Sequence, residues 1–369
     1  LRRNIMKKLT MSLVLALALT FAFAEQPKTI SFENKVSSET LQLQIADGKA
    51  RLAPFRMDEV ARAEFESDKL DALIQVGFNW TFPTEKYAQF DWTTDALDYY
   101  IEFRPIEQLT FFFHDEVFTK GSKLFVTGQN VASGNLGSDF GICWRPIGGL
   151  RIAAGADFLS GIGHDHSRPI INFGVDYTYG SLVSVGLTVR NPFSYTKKIA
   201  VGAFVSFTGV KNLTLNAAYT FRGGDFDAGD GGSSGLTAAS PVTVPQLTTD
   251  LFAHTSLLAT HLIQLSASYA QKAFTFAADF AIAPSSKNAY DLYAGADLGY
   301  RLTDEIKAAV RAGLNLDLDN ASSAVISVYP RVDWTVAKNH TISAGAKVQI
   351  EGSKIFIALP LAWNFKYKI

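Results

Sequence analysis

Residues 305–317 read EIKAAVRAGLNLD, and their alternation decides the architecture. Ile306, Ala308, Val310, Ala312, Leu314 and Leu316 share one parity. Glu305, Lys307, Ala309, Arg311, Gly313, Asn315 and Asp317 share the other. Successive side chains of a strand lie on opposite faces, so this segment predicts a strand with one apolar and one polar face. Residues 340–351 repeat the pattern, with Ile342, Ala344, Ala346, Val348 and Ile350 opposing Thr341, Ser343, Gly345, Lys347, Gln349 and Glu351. Residues 212–222 do so again. The period of two continues from about residue 70 to the end in segments near the 9–11 residues that a tilted strand needs to cross a bilayer.

Two features favour a membrane barrel over a secreted sandwich. The polar rows are rich in Gly, Ser, Thr, Asn and single charges, whereas the apolar rows end in aromatics such as Phe78, Trp80 and Phe82, Tyr177 and Tyr179, Tyr300 and Trp334. Aromatic girdles at both interfaces are expected of transmembrane barrels. Connections also alternate in length. Short links at 104–108, 145–149, 180, 209–212, 270–272, 302–304 and 337–339 alternate with longer ones, of which 222–256 is the longest. Counting back from the last strand, every one of those short links falls on the periplasmic side. The expectation is therefore an all-β, transmembrane, antiparallel up-and-down β-barrel of 18 strands. The alternative is 16 strands from residue 70 onward, preceded by a periplasmic segment. That alternative arises because residues 57–67 (MDEVARAEFES) fit either a strand or a short helix presenting Met57, Val60, Ala61 and Phe65.

Composition narrows the function classes. The chain of 369 residues has a net charge of −1, 47 % hydrophobic residues, 12 % aromatics and a single Cys. Such a balance excludes wholesale disorder, a disulfide framework and a cysteine-based zinc site, and gives no general reason to expect nucleic-acid binding. Residues 6–24 (MKKLTMSLVLALALTFAFA) combine a basic start at Lys7 and Lys8, an apolar stretch and an A-x-A ending. They read as a cleaved secretory signal peptide, with residues 1–5 expected to precede the true start. The resulting division is a signal peptide over 1–24, a periplasmic segment over 25–37 and a barrel over 38–369. No later run is long and apolar enough for a transmembrane helix.

The polar rows carry the candidate functional residues. Their acids are Asp71, Asp98, Glu102, Asp139, Asp157, Asp176, Asp279, Asp291, Asp297 and Asp333. Their bases are Arg104, Arg145, Arg151, Arg222, Arg301, Lys307, Arg311, Arg331 and Lys347. So many ions in a dry core would each cost several kcal/mol, whereas a wet lumen makes them inexpensive. They are expected to line a lumen of mixed charge that screens solutes by size and charge.

Other patterns yield to simpler readings. Gly231–Gly235 matches G-x-S-x-G, but in a low-complexity loop rather than a strand–turn–helix. Asp225, Asp227 and Asp230 miss a calcium-loop spacing by one residue and lack its closing Glu. His164 and His166 sit in a solvated loop, His114 has no catalytic partners, and Cys143 is an inward filler. No enzyme activity, metal or cofactor is expected.

The last strand reads IFIALPLAWNFKYKI. Its alternating Trp363, Phe365 and Tyr367, with Ile369 where a terminal Phe is usual, resemble the C-terminal assembly signal of bacterial outer-membrane β-barrel proteins. Overall the chain resembles a porin-type barrel. Its ISFENKVSSE opening and AEFESDKLDA hairpin are similar to uncharacterised spirochaete outer-membrane barrels. The resemblance implies passive diffusion of small hydrophilic solutes, with outer-membrane lipid, the barrel-assembly machinery and a homotrimer as partners. Its competitors are a structural or host-contact barrel acting through its loops and a plugged substrate-specific transporter.

Overall fold

The computed structural model describes residues 29–52, 55–82, 89–91, 97–113, 140–157, 170–190, 192–193, 199–222, 261–282, 291–320 and 324–368. Among these there is no helix, and the strands form one closed, antiparallel, 18-strand barrel. In chain order they are β1 (Thr29–Ala46), β2 (Lys49–Leu52 continued by Phe55–Glu66), β3 (Leu70–Phe82) and β4 (Gln89–Asp91 continued by Leu97–Ile106). Next come β5 (Leu109–Phe113), β6 (Phe140–Trp144), β7 (Leu150–Asp157), β8 (Ile170–Tyr179), β9 (Val183–Arg190), β10 (Ala200–Phe207) and β11 (Leu213–Arg222). The circuit continues through β12 (His261–Gln271), β13 (Phe274–Ile282), β14 (Leu292–Arg301), β15 (Ile306–Leu316) and β16 (Val325–Ala337). It ends with β17 (His340–Gly345 continued by Lys347–Glu351) and β18 (Lys354–Lys368).

Each strand pairs with its sequence neighbour, and β18 returns to β1 through a long ladder from Ser31↔Lys368 to Ile45↔Ile355. Closure removes the two free edges that an open sheet would present to lipid, where unpaired backbone groups find no water. The two faces are inverted relative to a soluble protein. Leu298, Val310, Ile326, Val332 and Trp363 are exposed on the outside, while Asp297, Asn315, Ser327 and Arg331 are buried inside. Such an arrangement suits a hydrocarbon surround and not water.

Two sequence expectations change at this point, and the choice between 18 and 16 strands is decided in favour of 18. Residues 29–37, expected to precede the barrel as a periplasmic segment, belong to the wall as the first half of β1. Their period is masked by a register shift between Glu39 and Gln42. The shift moves the apolar row from even positions (Ile30, Phe32) to odd ones (Leu43, Ile45), so the alternation restarts mid-strand. Residues 57–66 are strand rather than helix, hydrogen-bonded to β1 on one edge and to β3 on the other. Pairing on both edges satisfies every backbone group and outweighs a weak helical pattern. Finally, short turns are not confined to one end. Asp47-Gly48 and Gly352-Ser353 are two-residue turns at the end that otherwise carries the long connections. Asp47 and Gly48 both have positive φ, 51° and 70°. That is the type I′ geometry, which matches strand twist and which Asp-Gly adopts readily. Of the 222–256 connection, everything after Arg222 lies outside the described residues, as do His114, His164 and His166.

Candidate functional site

The candidate site is the inner wall, and the registers build it. Asp71 in β3 faces Glu102 in β4 directly, with Arg104 one step along the same row. The Arg104 guanidinium donates to Asp71 Oδ2 at 2.9 Å and lies 3.2 Å from Glu102 Oε1. It also donates to the carbonyls of Ser67 and Asp68, which ties the ion cluster to the β2–β3 turn. Arg145 Nη1 donates to Thr110 Oγ1 across the β5–β6 pair. Arg151 and Asp176 are directly opposed in β7 and β8, and Nε donates to Oδ1 at 2.8 Å with the second arm on Oδ2. A two-armed arginine–carboxylate pair fixes both groups more firmly than a single contact does.

A second cluster occupies β14 to β17. Arg331 reaches over β15 to Asp297 at 2.8 Å and also lies 3.5 Å from Asp333. Ser343 donates to Asp333 from β17. Beside it, Arg311 donates to the Tyr293 hydroxyl at 3.2 Å. In an 18-strand ring β5 and β14 are half a circumference apart, so the two charged sectors face each other across the bore.

The remaining predicted positions divide as follows. Asp279 and Asp291 are buried on the inner face, and Asp291 Oδ2 accepts the Leu318 N–H at 3.1 Å. Lys307 sits opposite Arg301, and opposite Asp333 on its other side. Arg301 is exposed and Lys347 is half-buried. Backbone register pairs Asp98 with Gln75, Asp157 with Ile170 and Arg222 with Ala200. Asp139 falls outside the described residues. At the chain end, Trp363 stacks on His340, which in turn stacks on Phe365, and Tyr367 is exposed beside them. Ile369 is not among the described residues.

The inner wall is less polar than its sequence rows suggest. Leu73, Phe112, Cys143, Ala153, Phe204 and Ala218 form a buried apolar cluster on it. The Phe112 ring fills the space over Gly141, where an added Cβ would overlap it. Tyr293 leans over Gly295 toward Asp279 in the same way. In each case the absence of a Cβ leaves the space that the neighbouring ring fills. Parity alone would have placed Tyr293 and Phe204 inside, since each shares a row with polar residues. The run Phe111-Phe112-Phe113 has no alternation, so nothing in it marks Phe112 as the inward member. Among the described residues no group of His, Cys, Asp and Glu is arranged to hold a metal ion.

No protein-family model matches the chain, and no curated protein resembles it in sequence. Solved structures do resemble it in shape. OccAB4 of Acinetobacter baumannii superposes with a TM-score of 0.54 at 10 % identity, over 93 % of this chain and 99 % of that one. OpdK of Pseudomonas aeruginosa, crystallised with vanillate, gives 0.54 at 10 % identity over 92 % and 99 %. OpdL of the same organism gives 0.51 at 10 % identity over the same shares. In fold, this chain is a porin-type barrel. Identity this low carries the fold and leaves the inner-wall residues to be judged on their own chemistry. The apolar exterior suits a lipid surround.

Proposed function

We propose that this porin-type barrel is a passive channel for small hydrophilic solutes, whose path runs between the two charged sectors of the inner wall. The observation that carries this reading is the inverted barrel itself. Its outside is apolar, and its inside holds the Arg104, Arg151 and Arg331 ion pairs. A ring of about 18 strands is wide enough for an aqueous lumen. Opposed charges across that lumen orient polar solutes and slow apolar ones, so selection needs no covalent chemistry. The predicted residues act as a set in this reading, with Arg311, Lys307 and Arg301 adding positive field on the β14–β15 side.

The buried Phe112–Phe204 cluster favours a narrower, more selective bore over a wide general one. The same proposal includes a signal peptide over residues 6–24 cleaved during export, insertion by the barrel-assembly machinery using the Trp363–Ile369 signal, and assembly as a homotrimer. The deciding experiment is single-channel recording of the refolded protein in a planar bilayer under a salt gradient. Stepwise conductance with a reversal potential that moves when Arg311 or Asp297 is neutralised is the expected result. A correctly inserted but silent barrel would overturn the channel reading.

A further inference from the structure

The outer wall dips between β10 and β13. Register alternates large and small side chains there. Ala217 lies between Val205 and Leu265 on one outward row, and Ala267 lies between Leu215 and Ala278 on the next. Val205, Leu215 and Leu265 are exposed and stand out from the wall, while the alanines leave the space between them empty. The result is an apolar groove of about 460 Å³ in the lipid-facing surface.

Charge gathers at one end of this groove. On β10 and β11 it lies close to the end of the barrel where residues 208–212 and 272–273 form the connecting turns. Lys211 and Lys272 are exposed in those turns, and neither has an ion partner among the described residues. The Ala270 N–H donates to the Asn212 carbonyl at 3.1 Å, which holds the two turns side by side. No acid lies in either turn, and the one acid of β10 to β13, Asp279, faces inward. Lys272 has a φ of 45°, a conformation that Gly or Asn adopts more easily, so the turn by itself does not call for lysine.

We infer that this groove is a binding site for one anionic phospholipid, with an acyl chain along Ala217 and Ala267 and the phosphate between Lys211 and Lys272. Depth fits that occupant. The six residues from Lys211 to Ala217 extend up to about 20 Å. At a tilt near 45° that is about 14 Å of depth, close to one leaflet's half of a ~30 Å hydrocarbon core. Charge fits it too, since lysines at the membrane surface attract anionic headgroups. A second copy meeting here about a two-fold axis would instead bring the same two lysines to the same level. The inference goes beyond the channel reading and rests only on the lipid surround of the outer wall.

The test refolds the full chain into vesicles holding equal amounts of phosphatidylglycerol and phosphatidylcholine. The protein is then extracted in mild detergent, and native mass spectrometry counts the lipid it keeps. Wild type is expected to keep one phosphatidylglycerol, favoured over phosphatidylcholine by about tenfold. The Lys211→Gln/Lys272→Gln variant is expected to lose that preference, and Ala217→Leu/Ala267→Leu, which fills the groove, to keep neither lipid. Lys338 is exposed in the turn between β16 and β17, and Lys338→Gln is expected to behave as wild type. Equal retention of both lipids by wild type, an undiminished preference in the double glutamine variant, or the same loss in Lys338→Gln would each overturn the inference. So would lipid-free dimers that the double leucine variant separates, which would make the groove a subunit contact. Conductance is recorded in parallel. A conducting barrel that keeps no phosphatidylglycerol defeats the lipid site alone, and a silent barrel that keeps it defeats the channel alone.

Discussion

Arg331 of β16 passes over the intervening strand to hold Asp297 of β14 with both arms, at 2.8 and 3.4 Å. Its side chain is 1 % exposed and that of Asp297 9 %. The ladder places Asp297 opposite Arg311, so the pair is a diagonal one set by side-chain reach and not by register. It stitches three strands and leaves Arg311 to Tyr293.

Replacing Asp297 by Asn strands a buried guanidinium that still has Asp333 3.5 Å away. Removing one member of such a pair costs about 3 kcal/mol, reduced where a second acid remains. Urea unfolding in detergent micelles, followed by tryptophan fluorescence, is expected to show a loss near that size. In bilayers the same variant gains net positive charge on the bore, so its reversal potential shifts toward anions. Arg331→Gln is expected to shift it toward cations.

Arg104 pairs with both Asp71 and Glu102, and Glu102 is fully buried. Arg104→Met removes the charge and keeps most of the stem. It is expected to destabilise the barrel by about 2–4 kcal/mol, because two acids and two turn carbonyls lose a donor together. Faster protease cleavage at the 67–69 turn is the companion observation, and an unchanged cleavage rate would separate the ion cluster from the turn.

Gly141 and Phe112 are coupled by contact. A methyl at 141 would overlap the Phe112 ring and come within 2.7 Å of the Ala154 carbonyl. Gly141→Ala is expected to cost about 1–3 kcal/mol, as overpacking does. Adding Phe112→Ala should recover part of it, which a double-mutant cycle would measure. Phe112→Ala by itself is expected to raise conductance, since it removes a ring from the bore.

The outer face gives the complementary control. Val310, 37 % exposed, lies outward near the middle of β15. Val310→Lys is expected to destabilise the barrel in lipid vesicles by about 2–4 kcal/mol. Lys307→Gln, on the inner row of the same strand, should alter selectivity with little change in stability. Equal effects at the two sites would contradict the inside-out polarity of the wall.

Alternation in the sequence determined the strands, their inward and outward rows, the even strand number and the membrane-facing aromatics. These follow from local geometry, since a period of two fixes which side chains share a face wherever the chain is extended. Residues 305–317 show this most plainly, with every member on the face its parity gives. Two things were not local. The first half of β1 entered the wall only through pairing with β2 and β18, because a bulge after Glu39 breaks the phase that a sequence reader follows. The partners inside the bore were also beyond the sequence. Parity places Asp297, Arg311 and Arg331 on one wall, but which acid each arginine takes depends on the reach of long side chains across neighbouring strands. The same holds for the hydrogen-bonded pair Asn34 and Glu59. Residues 25 positions apart in the chain become partners only when antiparallel register brings them to the same patch of the outer wall.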